Sequence, residues 1–173
     1  MVSPSAPLTL DIPDRKLSTW QRIADLLASS SGVPAALIMR VHPSEIEVFI
    51  SSHSAGNPYK QNERAQLNSG LYCETVMSTG EPLLVPDALS DPEWNHNPDI
   101  ELGMVYYLGF PLRWPNGETF GTVCVLDREN NQKATSNGEL MALLAKIIES
   151  DLEGVFEVAE LKRSLEHLQA QLP

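Results

Sequence analysis

The stretch from Tyr106 to Leu126 constrains this chain more than any other. Two runs rich in aromatic and β-branched residues, Tyr106 to Trp114 and Phe120 to Leu126, flank Pro115-Asn116-Gly117-Glu118. Asn-Gly supplies the positive φ angles of a tight hairpin turn, so the two runs are expected to pair antiparallel. Pro111 inside the first run predicts a bulge or an unpaired edge position. The sequence just upstream is equally terse. A helix after Ser69 would place Tyr72, Cys73, Val76 and Met77 on one face and close at Gly80. Pro82 to Pro86 reads as a short strand whose flanking prolines keep it at a sheet edge or end. Asp91 to Asn97 is a polar loop carrying Trp94 and His96, and Asn97-Pro98-Asp99 has the order of a cap, a first-turn proline and a first-turn carboxylate. One or two helical turns are expected there, ending near Gly103.

On the N-terminal side, residues 1–12 are rich in Pro and Ser and read as a flexible lead-in. From Pro13, apolar side chains at Leu17, Trp20, Ala24 and Leu27 recur at helical spacing, with Asp11 or Asp14 as cap and Gly32 as stop. Ala35 to Val41 and Glu45 to Ser52, separated by His-Pro-Ser, form a second hairpin pattern. Ser51 to Gln66 is a long connection, either a binding lid or a mobile surface loop.

On the C-terminal side, Ser136 and Glu139 have the spacing of a capping box, and the helix they would open meets no proline before Gln171. Leu161, Leu165, Leu168 and Leu172 form a coiled-coil seam, as do Ile148, Leu152, Val155 and Ala159 upstream. An extra three-residue step through Val158 joins the two registers, a stammer that overwinds the coil. So few heptads are not stable alone; the seam is expected to lean on the domain and on its copy in a partner chain.

Together these pieces predict an α+β domain with an antiparallel sheet of five or six strands, the terminal helices on one face and a possible ligand pocket on the other. A chain of 173 residues buries roughly 70% of its unfolded surface without help from metals or disulfides. Its 12 Lys+Arg against 23 Asp+Glu give a formal charge of -11, with no basic run, so nucleic acid and anionic membrane are discounted as partners. Cys73 and Cys124 are too few for a disulfide framework and read as reduced thiols. No basic, apolar leader opens the chain and no segment matches a membrane span, so a soluble, cytoplasmic location is expected.

The order of elements, with GLYCETVMSTGEPLLVPDA, Tyr-Leu-Gly-Phe-Pro-Leu at 107 to 112 and Phe-Gly-Thr-Val-Cys-Val-Leu-Asp at 120 to 127, resembles the GAF domain, a small-molecule sensor module of bacterial signalling proteins. The likeness covers roughly residues 15 to 155. It implies a GAF domain over 13–155, with the related PAS fold as structural alternative, and a coiled-coil-like signalling helix over 156–173, continuous from about residue 136. It also implies a homodimer through the terminal helices and a linked or separate output domain such as a histidine kinase or diguanylate cyclase. The seam running to the last residues is what a piece of a longer protein would show.

Several family chemistries do not carry over. GAF-like enzymes that reduce free methionine sulfoxide carry a cysteine near the position of Cys73, but use further cysteines in a covering loop that here reads Pro92, Glu93, Trp94, Asn95 and His96. No Cys-His dipeptide is present to attach a bilin, and Arg128 to Thr135 lacks the Phe and Asp-Glu of cyclic-nucleotide sites. The four histidines form no ligand set, so no metal site is expected; His96 is the one candidate for a haem axial ligand, and haem too is discounted. No catalytic residues are assigned and the ligand is left unknown.

The expected small-molecule site combines Tyr72, Cys73, Trp94, Asn95, Met104, Tyr106 and Tyr107, apolar walls with a few polar tips. The alternative is that these aromatics are core, with Trp94 plugging the space. Functionally the chain is expected to be a non-catalytic sensor relaying ligand state along its C-terminal helix. The alternatives are a Cys73-dependent reductase and a ligand-free dimerisation module in which Gly154 and the stammer dominate.

Overall fold

A computed structural model describes residues 9–172. Helix α1 (Asp14–Ser31) leads into the hairpin of β1 (Ala35–Val41) and β2 (Glu45–Ser51), followed by β3 (Arg64–Gln66), α2 (Tyr72–Thr79) and β4 (Leu83–Val85). After short 3-10 turns at Ala88–Ser90 and Pro98–Leu102 come β5 (Tyr106–Arg113), β6 (Thr119–Asp127), α3 (Gln132–Ser136) and α4 (Gly138–Ala170). The six strands form one sheet in the order β3-β2-β1-β6-β5-β4, antiparallel throughout.

Helix α1 forms where its apolar period predicts. Trp20, Ala24 and Leu27 are buried, and Gly32 ends the helix at φ 66° with its N–H donated to the Ala28 carbonyl. Its start differs from expectation. Neither Asp11 nor Asp14 caps it; Pro13 precedes the first turn, and its carbonyl accepts the Lys16 and Leu17 amides at 2.9 and 3.1 Å. Of the expected lead-in, residues 1–8 lie outside the described residues, while Leu10 and Ile12 pack against the core and the Leu10 carbonyl accepts from Arg40 at 2.7 Å.

Strand alternation divides the interior. Ala36 and Ile38 of β1, Val123 and Val125 of β6, and Tyr106 and Leu108 of β5 face α1 and α4. Leu37, Met39, Cys124, Leu126 and Tyr107 face α2 and the loops that cover it. A one-residue slip of register would exchange the two sets, so burial on both sides fixes the pairing. The terminal helices therefore share one face, as expected. Asp151 of α4 binds them together, accepting from Lys16 Nζ at 2.7 Å and from Trp20 Nε1 at 2.9 Å.

Two local expectations need correction. The hairpin between β5 and β6 is present, but only Gly117 takes a positive φ, 88°; Asn116 does not. Pro115 holds φ negative at the second turn position, the Gly117 amide closes on the Trp114 carbonyl at 2.9 Å, and the Trp114 amide reaches the Glu118 carbonyl at 2.8 Å. The loop is thus one residue longer than a two-residue primed turn, with glycine alone left-handed. The Ser136 capping box does not form either. Ser136 ends the separate short helix α3, its hydroxyl donating to Gln132, and the cap that opens α3 is Asn131, which accepts from the Ala134 amide at 2.8 Å. Pro111 behaves as expected: it pairs with Thr122 but lies past Gly109, the last β5 residue that β4 covers.

Helix α4 buries Met141, Leu144, Ala145, Ile148, Leu152 and Val155 against the domain, then runs on with its leucines uncovered. Leu161, Leu165, Leu168 and Leu172 are 70%, 56%, 61% and 74% exposed. Among the described residues no helix is long and apolar enough to cross a membrane.

Candidate functional site

The α2 side of the sheet encloses a cavity of about 300 Å³. Its floor is apolar, from Leu37 and Met39 on β1, Ile46 and Val48 on β2, and Cys124 and Leu126 on β6. These are the inward positions of three neighbouring strands, set by the period of two. Leu71 and Cys73 at the start of α2 close one side, with Tyr107 from β5 beside them. The ring of Tyr107 lies over Gly109 two residues along, where any Cβ would overlap the Tyr107 hydroxyl. Glycine at 109 is therefore what lets this wall lie flat.

Polar groups converge at the other end. Tyr59 and Glu63 come from the connection between β2 and β3, and Arg64 and Ala65 from β3 itself; Pro98, Asp99, Glu101 and Leu102 come from the 3-10 turn. Asn97 builds that turn, accepting from the Asp99 amide at 2.8 Å while its Nδ2 donates to the Gly70 carbonyl at 2.8 Å, which fastens it to the approach to α2. Tyr59 is held from the other direction: its carbonyl accepts from Ser51 Oγ at 2.8 Å, and its amide donates to Asn57 Oδ1 at 2.9 Å. The two segments meet where the Tyr59 hydroxyl donates to Asp99 Oδ1 at 2.9 Å.

Burial pushes the Asp99 carboxyl above its ordinary range, a shift the Tyr59 hydrogen bond opposes. Burial, followed by the charge of Asp99, also pushes the Tyr59 phenol up, so Tyr59 is a neutral donor at physiological pH. The cavity thiols move the same way. Burial raises Cys73 well above its usual value, reinforced by Cys124, Asp99 and Glu74, and outweighs the helix N-terminus that would otherwise favour the thiolate. Burial and then Asp99 push Cys124 up to about 12. Neither cysteine is poised as a nucleophile.

Of the residues expected from sequence, Cys73 and Tyr107 line this cavity and the others do not. Tyr72 stands behind the wall, stacked on Tyr107 with ring centroids 4.8 Å apart and donating to the Met104 carbonyl at 3.0 Å. Trp94 packs on Tyr72 at 5.3 Å, a second layer rather than a plug, and Met104 is fully buried in the same cluster. Asn95 is exposed, as is His96. Tyr106 belongs to the opposite face, where its hydroxyl meets Thr135 Oγ1 at 3.0 Å. The alternation that puts Tyr107 in the wall necessarily turns Tyr106 away.

Sequence reasoning missed Tyr59, Asp99 and Arg64. Asp99 was visible only as a first-turn carboxylate, and Tyr59 as the one aromatic in an otherwise polar connection. No group of three or more metal-ligating side chains occurs among the described residues.

Solved structures with this architecture are numerous. Free methionine-R-sulfoxide reductase from Neisseria meningitidis, in complex with its substrate, is similar at a TM-score of 0.66 and 16% identity, over 82% of this chain and 80% of that one. The blue-light absorbing form of the Thermosynechococcus elongatus PixJ GAF domain gives 0.61 and 13%, over 94% and 100% of the two chains. The nlh2 GAF domain of A. aeolicus in an inactive state gives 0.55 and 15%, over 88% and 90%. At such identities the likeness establishes the fold alone. No curated protein matches the sequence. The GAF domain family model matches residues 17–151, most of the chain, and the chain belongs to the GAF domain family.

Proposed function

We propose that this chain is a non-catalytic sensor module, a homodimer in which a small molecule held in the cavity biases the arrangement of the terminal helices and so regulates an output domain of histidine kinase or diguanylate cyclase type. The observation that carries this reading is the position of the cavity. Floor strands β1 and β2 bear α1 on their opposite face, β5, which supplies the Tyr107 wall, bears α4, and α4 continues beyond the domain with its leucines uncovered. A ligand acts there only through different affinity for two arrangements of those helices, and a few kcal/mol suffices.

The test is a native mass spectrum of freshly purified protein. A dimer carrying a defined extra mass that leaves on denaturation is the expected result. A dimer of bare polypeptide that also binds nothing in a small-molecule screen favours the ligand-free dimerisation module, and a bare monomer counts against the helical relay.

A thiol-dependent reductase is the second reading, favoured by Cys73 at the cavity wall and by the sulfoxide reductase that shares the fold. Burial of both thiols weighs against it. Replacing Cys73 by Ser would abolish a reductase activity, whereas a sensor would keep its ligand.

A further inference from the structure

The cavity's polar end is chemically lopsided. Asp99 Oδ1 takes the Tyr59 hydroxyl, while Oδ2 takes no hydrogen bond among the described residues. The other ionisable groups lining the cavity are Glu63, Glu101, Arg64, Tyr59, Tyr107 and the two thiols. Arg64 is the sole cation in that lining, and its charge is already engaged by Glu45 at 3.2 Å and Glu47 at 3.8 Å. Tyr59 is a neutral donor that cannot balance Asp99. Asp99 is half-buried in the cavity lining, and a carboxylate partly withdrawn from water there, with one oxygen taking no hydrogen bond and no counter-charge beside it, is costly to hold. The group that relieves that cost is a cation with N–H donors.

We infer that the Asp99 end of the cavity recognises a protonated amine carried on a compact apolar body. The inference rests on the reading of the cavity as a ligand site and specifies its chemistry. The ammonium meets Asp99 Oδ2, Tyr59 keeps the carboxylate oriented through Oδ1, and the body lies on Leu37, Val48 and Leu126. A carboxylate on the ligand is disfavoured, since Arg64 is the only lining cation and is spoken for by two glutamates. This separates the inferred ligand from a zwitterionic amino acid. Glu63 and Glu101, both exposed at the rim, and the chain's charge of -11 draw cations toward the opening.

Three probes with the same phenylethyl body test it by isothermal titration calorimetry on the full chain: 2-phenylethylammonium, 2-phenylethanol and 3-phenylpropanoate. The ammonium is expected to bind about tenfold tighter than the alcohol, or more, as a charge-assisted hydrogen bond requires, and the carboxylate is expected to show no binding. Asp99→Asn, with its fold checked by circular dichroism, should erase the ammonium preference while alcohol binding persists. Should that variant fail to fold, Ala65→Trp, which fills the cavity mouth, should abolish ammonium binding. Alcohol or carboxylate binding as tightly as the ammonium overturns the cationic ligand and leaves the sensor reading standing. An ammonium preference that survives Asp99→Asn overturns it, and so does ammonium binding that survives Ala65→Trp, because that binding lies elsewhere. If no probe binds, the inference falls together with the reading of the cavity as a ligand site.

Discussion

On the face of the sheet that carries α1 and α4, Trp20, Trp114 and Phe120 are fully buried, and Phe120 meets the two tryptophans edge-on at 5.7 and 5.6 Å. Charge on this side is matched at once: Arg40 lies 5.4 Å from the ring centres of Phe49 and Phe120, and Asp151 takes both Lys16 and the Trp20 indole. The opposite face stacks Tyr72 on Tyr107, sets Trp94 against Tyr72 at a tilt of 39°, then leaves about 300 Å³ unfilled, with one oxygen of Asp99 unused. The first face is built as a core and the second as a receptacle. Both rest on the same strands, so adjacent residues serve opposite purposes.

Neighbouring positions on β1 give the largest test of that contrast. Ile38 and Leu37 are both buried, but Ile38 lies in the α1–α4 core and Leu37 in the cavity floor. Ile38→Ala is expected to cost about 4 kcal/mol in urea unfolding, because close packing there resists collapse. Leu37→Ala is expected near the low end of its class, about 2–3 kcal/mol, because its truncation only enlarges space that already exists. Equal costs would mean that the cavity closes in solution.

The joint between the terminal helices ranks next. Asp151→Ala removes the partner of the buried Trp20 Nε1 and of Lys16 together, and about 1–3 kcal/mol of stability should go with it. Asp151→Asn, which keeps an acceptor for the indole, should recover most of the loss. Failure to recover would place the energy in the Lys16 ion pair instead.

The same contrast explains what the sequence made legible. Helices α1 and α2 and the body of α4, five of the six strands, the Gly32, Gly80 and Gly103 stops and the Asn97 cap follow from local chemistry and lie where spacing put them, whereas α3 does not. The missed strand, β3, has three residues, all exposed, and carries no apolar signal. The site was harder to read. Tyr106 and Tyr107 look alike in sequence, and only the register of β5 against β6 decides which of them faces the cavity. Tyr59 and Asp99 are far apart in the chain, and their meeting depends on two loops fastened independently, one by Ser51 and Asn57, the other by Asn97. Ser136 and Glu139 had the right spacing for a capping box, yet Asn131 starts its helix earlier and leaves Ser136 at the end of it.

Asp99 gives a test in which sign matters more than size. Its carboxyl titrates above the ordinary 3.8 in the folded state because of burial, so between the two values the folded protein holds more protons than the unfolded one. Stability from this group is therefore present below about the unfolded value and is lost as pH rises through the folded one. Asp99→Asn should be more stable than the parent at pH 7, and the gap should close as pH falls below the folded value toward 3.8. Thermal melts of both proteins across that range check it. A variant that is less stable at pH 7 would mean that the carboxylate already has a counter-charge. Saturating 2-phenylethylammonium should shrink the gap at pH 7, since it supplies the missing partner only where the carboxylate is kept.

The smallest effect on the fold is expected at the seam, where it separates the domain from its proposed relay. Leu165 and Leu168 are mostly exposed on α4 and bury nothing against the sheet, unlike Ile148 and Leu152 two or more turns earlier. Leu165→Glu with Leu168→Glu should therefore change unfolding free energy within about 0.5 kcal/mol per site at concentrations where the chain is monomeric. The same pair places like charges where two copies would meet, so at higher concentration it should lower the mass measured by light scattering from dimer to monomer. If the double variant stays dimeric, the association belongs to the domain face that carries α1 and the first half of α4, and cavity and contact would share the strands β1, β2 and β5 directly. If the parent itself is monomeric at all concentrations, the leucines need another partner and the proposed relay through a second copy fails.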